Sequence, residues 1–150
     1  MLNSIVFDLD GTLANISHRL HYVKNGKKNW EAFFEAIPAD QPISEIVELA
    51  IDLIQIDTKP VLFATGRPES TRSDTEEWLR YNGIDVDFET KLFMRQSGDR
   101  RPDAEVKSGI LERMGDAGFK PVLVFDDRQS VVDMWRREGI RVAQVAIGNF

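Results

Sequence analysis

The sequence contains no cysteine and only two histidines, His18 and His21. The lack of cysteine excludes disulfide bonds, thiolate metal ligands and a thiol nucleophile. The two histidines lie close together and far from any others, so the sequence offers no zinc site of the usual kind. Any catalytic or metal site in this chain must therefore be built from other groups.

Long apolar runs are also missing. None approaches the ~20 residues that a membrane-spanning helix needs. The N-terminus, Met1 to Ser4, has neither the charged start nor the long apolar core of a secretory signal. We therefore expect a soluble protein of the cytoplasm that makes no membrane contact. Its 150 residues, 42% of them apolar, predict a single domain over residues 1–150.

Acidic residues are absent between Gly11 and Trp30, although the whole chain has a net charge of −6. The net charge argues against tight, sequence-independent binding of duplex nucleic acid, which needs a broad basic surface. The acid-free stretch contains basic residues, namely Arg19, Lys24, Lys27 and Lys28. Such a stretch is usually a solvated loop. Because it follows the first acidic motif directly, a functional role stays open as well.

Short apolar runs alternate with helical patterns along the chain. The runs predict strands at 4–7, 60–64, 91–94, 121–125 and 142–146. The helical patterns predict helices at 15–23, 29–37, 69–82, 103–117 and 128–138, and one that begins at Pro42. This alternation predicts an α/β, Rossmann-like parallel sheet of about five strands with helices on both faces. Residues 14–42 would form a small helical cap insertion.

Polar side chains follow three of the predicted strands. They are Asp8 and Asp10 after the first, Thr65, Gly66 and Arg67 after the second, and Asp126 and Asp127 after the fourth. Ligands bind parallel α/β sheets outside the carboxyl ends of the strands. We therefore expect these residues to meet at one rim of the sheet.

The chemistry of this rim suits phosphoryl transfer. A carboxylate such as Asp8 can attack phosphorus and form an aspartyl-phosphate. Asp10 can protonate the leaving oxygen and then act as a base toward water. Thr65, Gly66 and Lys107 can supply the hydroxyl, backbone amide and positive charge that a transferring phosphoryl group needs.

A cation is expected between the carboxylates, because they would otherwise repel one another. The predicted metal ligands are Asp8, Asp10 through its backbone carbonyl, Asp126 and Asp127. Asp127 would bind the metal either directly or through water. All of these ligands are oxygens, which favours Mg²⁺.

These motifs resemble those of the haloacid dehalogenase superfamily. Phe7-Asp8-Leu9-Asp10-Gly11-Thr12 is similar to its first signature, Thr65 to the second, Lys107 to the third and Phe125-Asp126-Asp127 to the fourth. They arrive in the family's order and span residues 5–133. The resemblance implies that Asp10 is the acid/base, because an aspartate at that position is typical of the phosphatases.

A narrower resemblance is to the 3′-phosphatase domain of phage-type polynucleotide kinase–phosphatases. It rests on further segments: Thr65-Gly66-Arg67, Leu92-Phe93-Met94-Arg95, Gly98-Asp99-Arg100, Phe125-Asp126-Asp127-Arg128 and Val131-Val132-Asp133-Met134-Trp135-Arg136. The resemblance implies that Arg19, Arg67, Asp103 and Lys107 belong to the active site. It further implies nucleic-acid 3′ ends, DNA or RNA, as the substrate, with 2′,3′-cyclic phosphate as a further candidate.

One departure from the bifunctional relatives is clear. No segment matches the GxxxxGK[ST] phosphate-binding loop of their kinase domain, so we expect no kinase domain in this chain. Two other functions are open to such a sequence. A small-molecule or nucleotide phosphatase is disfavoured because the short cap insertion would leave the site open. A nucleic-acid end-binding module without activity is disfavoured because neither predicted catalytic aspartate is missing.

Other residues invite a functional interpretation beside a structural one. Trp78 and Trp135 have apolar neighbours at helical spacing, which favours core packing, whereas for Trp30 a base-stacking role stays open. Asp103 would cap its helix, orient Lys107, or do both. A second set of basic residues, Arg95, Arg100 and Arg101, would lie along a nucleic-acid backbone. We expect His18 and His21 to face solvent or substrate, and Asp133 to be structural.

Overall fold

The computed structural model describes residues 1–148, so the last two positions of the predicted domain lie outside the described residues. Within this range the strands are β1 (Leu2–Phe7), β2 (Ala14–Asn15), β3 (Gln41–Pro42), β4 (Val61–Pro68), β5 (Leu92–Arg95), β6 (Phe119–Arg128) and β7 (Arg141–Gly148). The α-helices are α1 (His21–Lys24), α2 (Trp30–Glu35), α3 (Ser44–Ile56), α4 (Arg72–Tyr81), α5 (Phe88–Lys91), α6 (Asp103–Asp116) and α7 (Gln129–Arg137).

The described residues form a five-stranded sheet in the order β5-β4-β1-β6-β7, and every pairing in it is parallel. This confirms the predicted α/β, Rossmann-like fold. β1 lies in the centre, between β4 and β6. The carboxyl ends of these three neighbouring strands therefore meet, and they carry the three polar segments that the sequence singled out.

Two buried clusters of apolar side chains cover the two faces of the sheet. One cluster includes Phe7 and Phe63 with Val47 of α3. The other joins Val6 of β1 to Ile110 of α6 and Trp135 of α7. Adjacent residues of β1 thus point to opposite faces, as strand geometry requires. Helices on both faces follow from this, because each apolar face must be covered.

The segment between β1 and α3 differs in detail from the prediction. The helix expected to begin at Pro42 begins at Ser44, because Pro42 pairs with Ala14 in a two-residue antiparallel ladder. The two predicted cap helices are shorter, at His21–Lys24 and Trp30–Glu35, and are accompanied by 3₁₀ turns at Ser17–Arg19 and Ile37–Ala39. Antiparallel pairing of β2 and β3 brings the two ends of the insertion together beside the sheet rim.

Elsewhere the helix and strand boundaries in the structure differ from the predicted ones by a few residues. The predicted helix at 69–82 is a 3₁₀ turn, Glu69–Thr71, followed by α4. The short helix α5 was missed, since its four residues carry too little periodicity to be seen. Over residues 1–148 no helix is both long and apolar enough to span a membrane.

Candidate active site

Asp8 is the first residue after β1, and its carboxylate is buried at the centre of the rim. Lys107 of α6 donates to Asp8 Oδ1 at 2.5 Å and to Asp126 Oδ2 at 3.0 Å. Thr12 Oγ1 donates to Asp8 Oδ2 at 3.1 Å. Burial and the nearby charge of Asp126 raise the pKa of Asp8, and Lys107 opposes them. Asp8 is therefore held in one position by two donors.

The turn after Asp8 explains how two aspartates reach the same rim. The Leu9 carbonyl accepts hydrogen bonds from the amides of Thr12, Leu13 and Ala14, which folds the chain sharply. Gly11 has a φ of 85°, a conformation that favours glycine. A Cβ at Gly11 would also clash with the Asp127 carboxylate. This glycine thus allows the first and fourth motifs to approach.

Asp8, Asp126 and Asp127 each offer one carboxylate oxygen, and these oxygens lie within 4.8 Å of one another. All three side chains are buried. Within residues 1–148, Asp127 Oδ1 is a buried oxygen that lacks a hydrogen-bond partner. Burial and the charge of Asp126 raise the pKa of Asp127. A buried group of three oxygen donors with one oxygen unpaired fits a hard divalent cation.

The Asp10 side chain points away from this group and toward two arginines. Arg67 donates to Asp10 Oδ1 from Nε at 2.9 Å and from Nη2 at 2.6 Å, and Arg19 Nη2 donates to it at 3.1 Å. Burial alone would raise the pKa of Asp10, but Arg67 and Arg19 together lower it. In this arrangement Asp10 is ionised. Of the predicted metal ligands, its carboxylate is the one that lies outside the oxygen cluster.

Asp40 is a member of this network that the sequence did not single out. Its carboxylate accepts from Arg19 Nε at 2.8 Å and Nη2 at 2.9 Å, and from Arg67 Nη2 at 3.0 Å. His18 Nε2 also lies 2.6 Å from Asp40 Oδ1. The backbone carbonyl of Asp40 accepts a hydrogen bond from Trp78 Nε1 at 2.9 Å. Asp40 thus connects the cap insertion to α4 and orients both arginines toward Asp10.

The need for Asp40 becomes apparent only in the structure. Arg19 and Arg67 are almost fully buried, at 0% and 2% exposure. Two buried guanidinium groups need more than one carboxylate, and Asp10 alone does not satisfy their donors. Burial of an arginine in a loop is invisible in the sequence, however, and the basic stretch looked like a solvated one.

A second arginine network surrounds Asp103 at the start of α6. Arg95 Nη2 donates to Asp103 Oδ1 at 2.5 Å, and Arg128 Nη1 donates to Oδ2 at 2.8 Å. Among the described residues, no side chain makes a capping hydrogen bond to α6, so the predicted capping role is not seen. A Cβ at Gly66 would lie 2.5 Å from Asp103 Oδ1. The second motif therefore packs directly against this carboxylate.

Lys107 and Thr65 are two further buried polar residues near the rim. Burial opposes the charge of Lys107, but Asp126 and Asp8 raise its pKa, with a smaller effect from Asp103. Lys107 is therefore a permanent positive charge beside Asp8. Thr65 is buried, and its Oγ1 accepts a hydrogen bond from the Arg67 amide at 3.1 Å.

One cavity of about 770 Å³ opens over these groups. The predicted site residues that line it are Asp8, Asp10, Gly66, Arg67, Asp103, Lys107, Asp126 and Asp127. Arg19 and Thr65 are buried behind the lining rather than part of it. The structure thus brings together residues from four sequence motifs. The most distant of them, Asp8 and Asp127, are 119 positions apart in the sequence.

Several residues could have had either a structural or a functional role. Trp78 and Trp135 are buried in the core, as predicted, and Trp30 is half exposed. Asp133 is exposed on α7, where it accepts a hydrogen bond from Gln129. His18 is exposed to solvent and also contacts Asp40 through Nε2. His21 is exposed beside Tyr22.

The chain is similar to known proteins over nearly its whole length. Residues 2–150 match the family model of the polynucleotide kinase PNKP phosphatase domain. A predicted bifunctional polynucleotide kinase/RNA ligase of Autographa californica nuclear polyhedrosis virus is 27% identical over 134 residues, which are 89% of this chain and 18% of that protein. The chain thus spans less than a fifth of this relative.

Solved structures agree with the sequence match. A chain of the Pnkp1/Rnl/Hen1 RNA repair complex has a TM-score of 0.78 and 28% identity, and the similarity covers 99% of this chain and 44% of that one. A haloacid dehalogenase-like hydrolase of Streptococcus pneumoniae has a TM-score of 0.62 at 19% identity, covering 95% of this chain and 84% of that one. The second similarity concerns the fold alone. With the family match over residues 2–150, these findings show that the chain belongs to the family of polynucleotide kinase PNKP phosphatase domains, which are phosphatases of the haloacid dehalogenase type.

Proposed function

We propose that this chain is a Mg²⁺-dependent polynucleotide 3′-phosphatase that works through an aspartyl-phosphate on Asp8. The observation that carries the proposal is the pairing of two aspartates with opposite surroundings. Asp8 lies beside Lys107 and Thr12 at the floor of the cavity, and Asp10 lies beside Arg67 and Arg19. These surroundings support an attacking role for Asp8 and a proton-exchanging role for Asp10.

In the first step, an Asp8 carboxylate oxygen forms a bond to phosphorus while the bond from phosphorus to the 3′ oxygen breaks. Asp10 in its protonated form gives its proton to that leaving oxygen, which departs as the 3′ hydroxyl. The arginines keep Asp10 ionised in the free protein. Entry of the phosphate dianion would draw donors of Arg67 toward the phosphate oxygens, which weakens this effect and favours protonation.

In the second step, water attacks the phosphorus of the aspartyl-phosphate and Asp10 accepts its proton. The bond between phosphorus and Asp8 breaks, which regenerates the carboxylate and releases inorganic phosphate. Asp10 is ionised at this stage, which is the state that its arginine partners favour. Lys107 and the Gly66 amide would contact the phosphoryl oxygens during both steps, and Thr65, buried behind the cavity lining, would support them.

Asp8, Asp126 and Asp127, with the backbone carbonyl of Asp10, would hold the Mg²⁺ ion. When bound, the ion neutralises charge on the carboxylates and on the phosphoryl oxygens. Burial and mutual repulsion raise the pKa values of Asp8 and Asp127. Raised pKa values are expected for acidic residues that bind a cation when the cation is absent.

The polynucleotide substrate is proposed from the family and from the shape of the site. The phosphatase domains of this family belong to polynucleotide kinases, and one similar structure is of an RNA repair complex. Besides the two-residue β2–β3 ladder, the cap insertion contributes α1, α2 and 3₁₀ turns, and so small an insertion favours a site that is open on one side. An open site admits the end of a polymer. The alternative is a small-molecule or nucleotide phosphatase. A comparison of substrates would distinguish it from a polynucleotide 3′-phosphatase.

The test compares phosphate release from four substrates at equal concentration. They are a 3′-phosphorylated oligonucleotide, the same oligonucleotide with a 5′-phosphate, a 3′-mononucleotide and glycerol 2-phosphate. We expect the 3′-phosphorylated oligonucleotide to have the highest kcat/KM, and EDTA to abolish release until Mg²⁺ is restored. Equal kcat/KM for oligonucleotide and mononucleotide would reject the polymer substrate, and full activity in EDTA would reject the metal.

A further inference from the structure

The cavity over Asp8 has two walls of different chemistry. The wall from the cap insertion is mostly apolar, with Ile16, Leu20, Trp30, Phe33 and Phe34 among its lining residues, and Lys24 and Lys28 add positive charge at its edge. The wall from the loop between β5 and α6 is polar and cationic, and is lined by Arg95, Ser97, Gly98, Asp99, Arg100 and Arg101. A ligand that fills this cavity must therefore present an apolar side and an anionic side.

Trp30 is the main exposed feature of the apolar wall. Its side chain is 49% exposed, whereas Trp78 and Trp135 are 4% and 0% exposed. Phe33 packs edge-on against the Trp30 ring at 5.6 Å, and Phe34 lies nearly parallel to it at 5.9 Å between centroids. Lys28 Nζ lies 5.8 Å from the Trp30 ring centroid. An indole fixed by neighbouring rings and left half exposed beside a cavity points to an aromatic ligand.

The opposite wall is held in shape by Arg95. Its guanidinium donates to the backbone carbonyls of Gly66 at 2.7 Å, Arg101 at 2.7 Å and Asp99 at 3.0 Å. Arg95 therefore fixes the loop between β5 and α6, and its expected place along a nucleic-acid backbone stays a prediction. The loop that it fixes carries the exposed side chain of Arg100 at the cavity. That cation matches the phosphate charge of a polynucleotide.

We propose that the apolar wall stacks the base of the 3′-terminal nucleotide on Trp30, while Arg100 faces the next phosphate of the strand. The inference rests on the proposed function. It adds that the base of the 3′-terminal nucleotide and the next phosphate are the parts of the polymer that the protein recognises. A cavity of about 770 Å³ has the size of a site for one small ligand, which suits a single terminal nucleotide. The substrate is accordingly an unpaired 3′ end, because a base must leave the duplex to stack on a side chain.

The test uses two 3′-phosphorylated oligonucleotides that differ only in whether the terminal nucleotide carries a base or is abasic. Trp30→Ala should raise KM for the base-bearing end by about 10-fold, within the range for loss of one base stack, and should change kcat by less than about twofold. On the abasic end, Trp30→Ala should change KM by less than about twofold. Trp30→Phe should restore most of the lost affinity, because it keeps an aromatic face.

Tyr81→Ala is the matched control. Tyr81 is an aromatic residue on α4 with 89% exposure, and it does not line this cavity. Its removal should leave KM for both ends unchanged. An equal rise of KM on base-bearing and abasic ends in Trp30→Ala would assign Trp30 a structural role and overturn the inference. An unchanged KM on the base-bearing end would overturn it as well.

Binding can be measured without turnover, which separates this inference from the proposed function. In the Asp8→Asn protein, the base-bearing oligonucleotide should quench tryptophan fluorescence more than the abasic one, and Trp30→Phe should remove that difference. If the wild-type protein releases phosphate from neither oligonucleotide, the proposed function fails. The quenching then decides the inference alone: equal quenching by both oligonucleotides would overturn it.

Discussion

Asp8 and Asp10 are separated by one residue, yet their side chains belong to different electrostatic surroundings. Asp8 faces Lys107 and the other acidic residues of the rim, and its pKa is raised. Asp10 faces Arg67 and Arg19, and its pKa is lowered. A pair of carboxylates whose pKa values are shifted in opposite directions is a common way to divide two catalytic roles. The difference comes from which elements each side chain points toward.

Asp40 gives the sharpest prediction at the scale of single residues. Asp40→Asn removes the charge that pairs with Arg19 and Arg67 and leaves part of their charge buried without compensation. We expect a loss of about 3–5 kcal/mol in the free energy of unfolding, measured by urea titration. We also expect kcat on a 3′-phosphorylated oligonucleotide to fall at least about 10-fold, because Arg67 would no longer be fixed beside Asp10.

Asp52→Asn is the control for this prediction. Asp52 is exposed on α3, so its substitution should change stability by no more than about 0.5 kcal/mol. Equal stability of the Asp40→Asn and Asp52→Asn proteins would contradict the role given to Asp40 in holding the two arginines.

At the scale of elements, the end of β4 packs closely against the start of α6 beside the site. The two come close at Gly66, where an added Cβ would meet the Asp103 carboxylate. The same glycine supplies the carbonyl that accepts from Arg95. Contact between the second and third motifs therefore depends on the lack of a side chain at one position.

Gly66→Ala should disturb this contact. Its new Cβ would lie 2.5 Å from Asp103 Oδ1, so Asp103 or the strand end must shift. We expect kcat/KM on a 3′-phosphorylated oligonucleotide to fall by about 10-fold or more, because small displacements in a positioned site are costly. Gly115→Ala, in the last turn of α6 and with no atom within 4 Å of the new Cβ, should keep full activity. Full activity of Gly66→Ala would refute the proposed close approach.

The elements also show where sequence patterns succeed. The β-strands of the main sheet and the helices α3, α6 and α7 have clear apolar periods, and all were predicted to within a few residues. β2, β3 and α5 have two to four residues each, which is too short for a period to appear. Pro42 looked like the first residue of a helix, which is a favoured position for proline. Its pairing with Ala14 is a long-range contact that no local pattern encodes.

At the scale of the whole molecule, the topology explains why the site could be predicted so far. Parallel strands joined by right-handed crossovers place successive carboxyl ends at one edge, so residues after β1, β4 and β6 had to meet. The arginine networks could not be predicted in the same way. They depend on the path of the cap insertion, which buries Arg19 against Asp40, and of the loop before α6, which brings Arg95 and Arg128 to Asp103.

Metal binding is also testable on the whole molecule, independently of activity. The carboxylates of Asp8, Asp126 and Asp127 should bind Mg²⁺ in the folded protein only, so saturating Mg²⁺ should stabilise the fold. At about 100 times the dissociation constant the gain is about 2.7 kcal/mol, which corresponds to a rise in Tm of about 5 °C or more. Differential scanning calorimetry with Mg²⁺ and with EDTA measures it.

Two variants make this measurement specific. Asp126→Asn should remove the rise in Tm, because it takes one oxygen ligand from the cluster. Asp133→Asn alters an exposed acid on α7 outside the cluster and should keep the rise. A rise in Tm of the same size in both variants would mean that Mg²⁺ binds elsewhere.

The most direct measurement of the central claim follows the phosphate itself. An oligonucleotide with ³²P in its 3′-phosphate is mixed with excess enzyme and Mg²⁺, and the reaction is stopped in acid at successive times. We predict that label appears transiently on the protein, in the peptide that contains Asp8, and then as inorganic phosphate. The Asp8→Asn protein should carry no label and release phosphate at less than about one-thousandth of the normal rate. Release of phosphate without labelled protein, or label on the Asp8→Asn protein, would contradict the account.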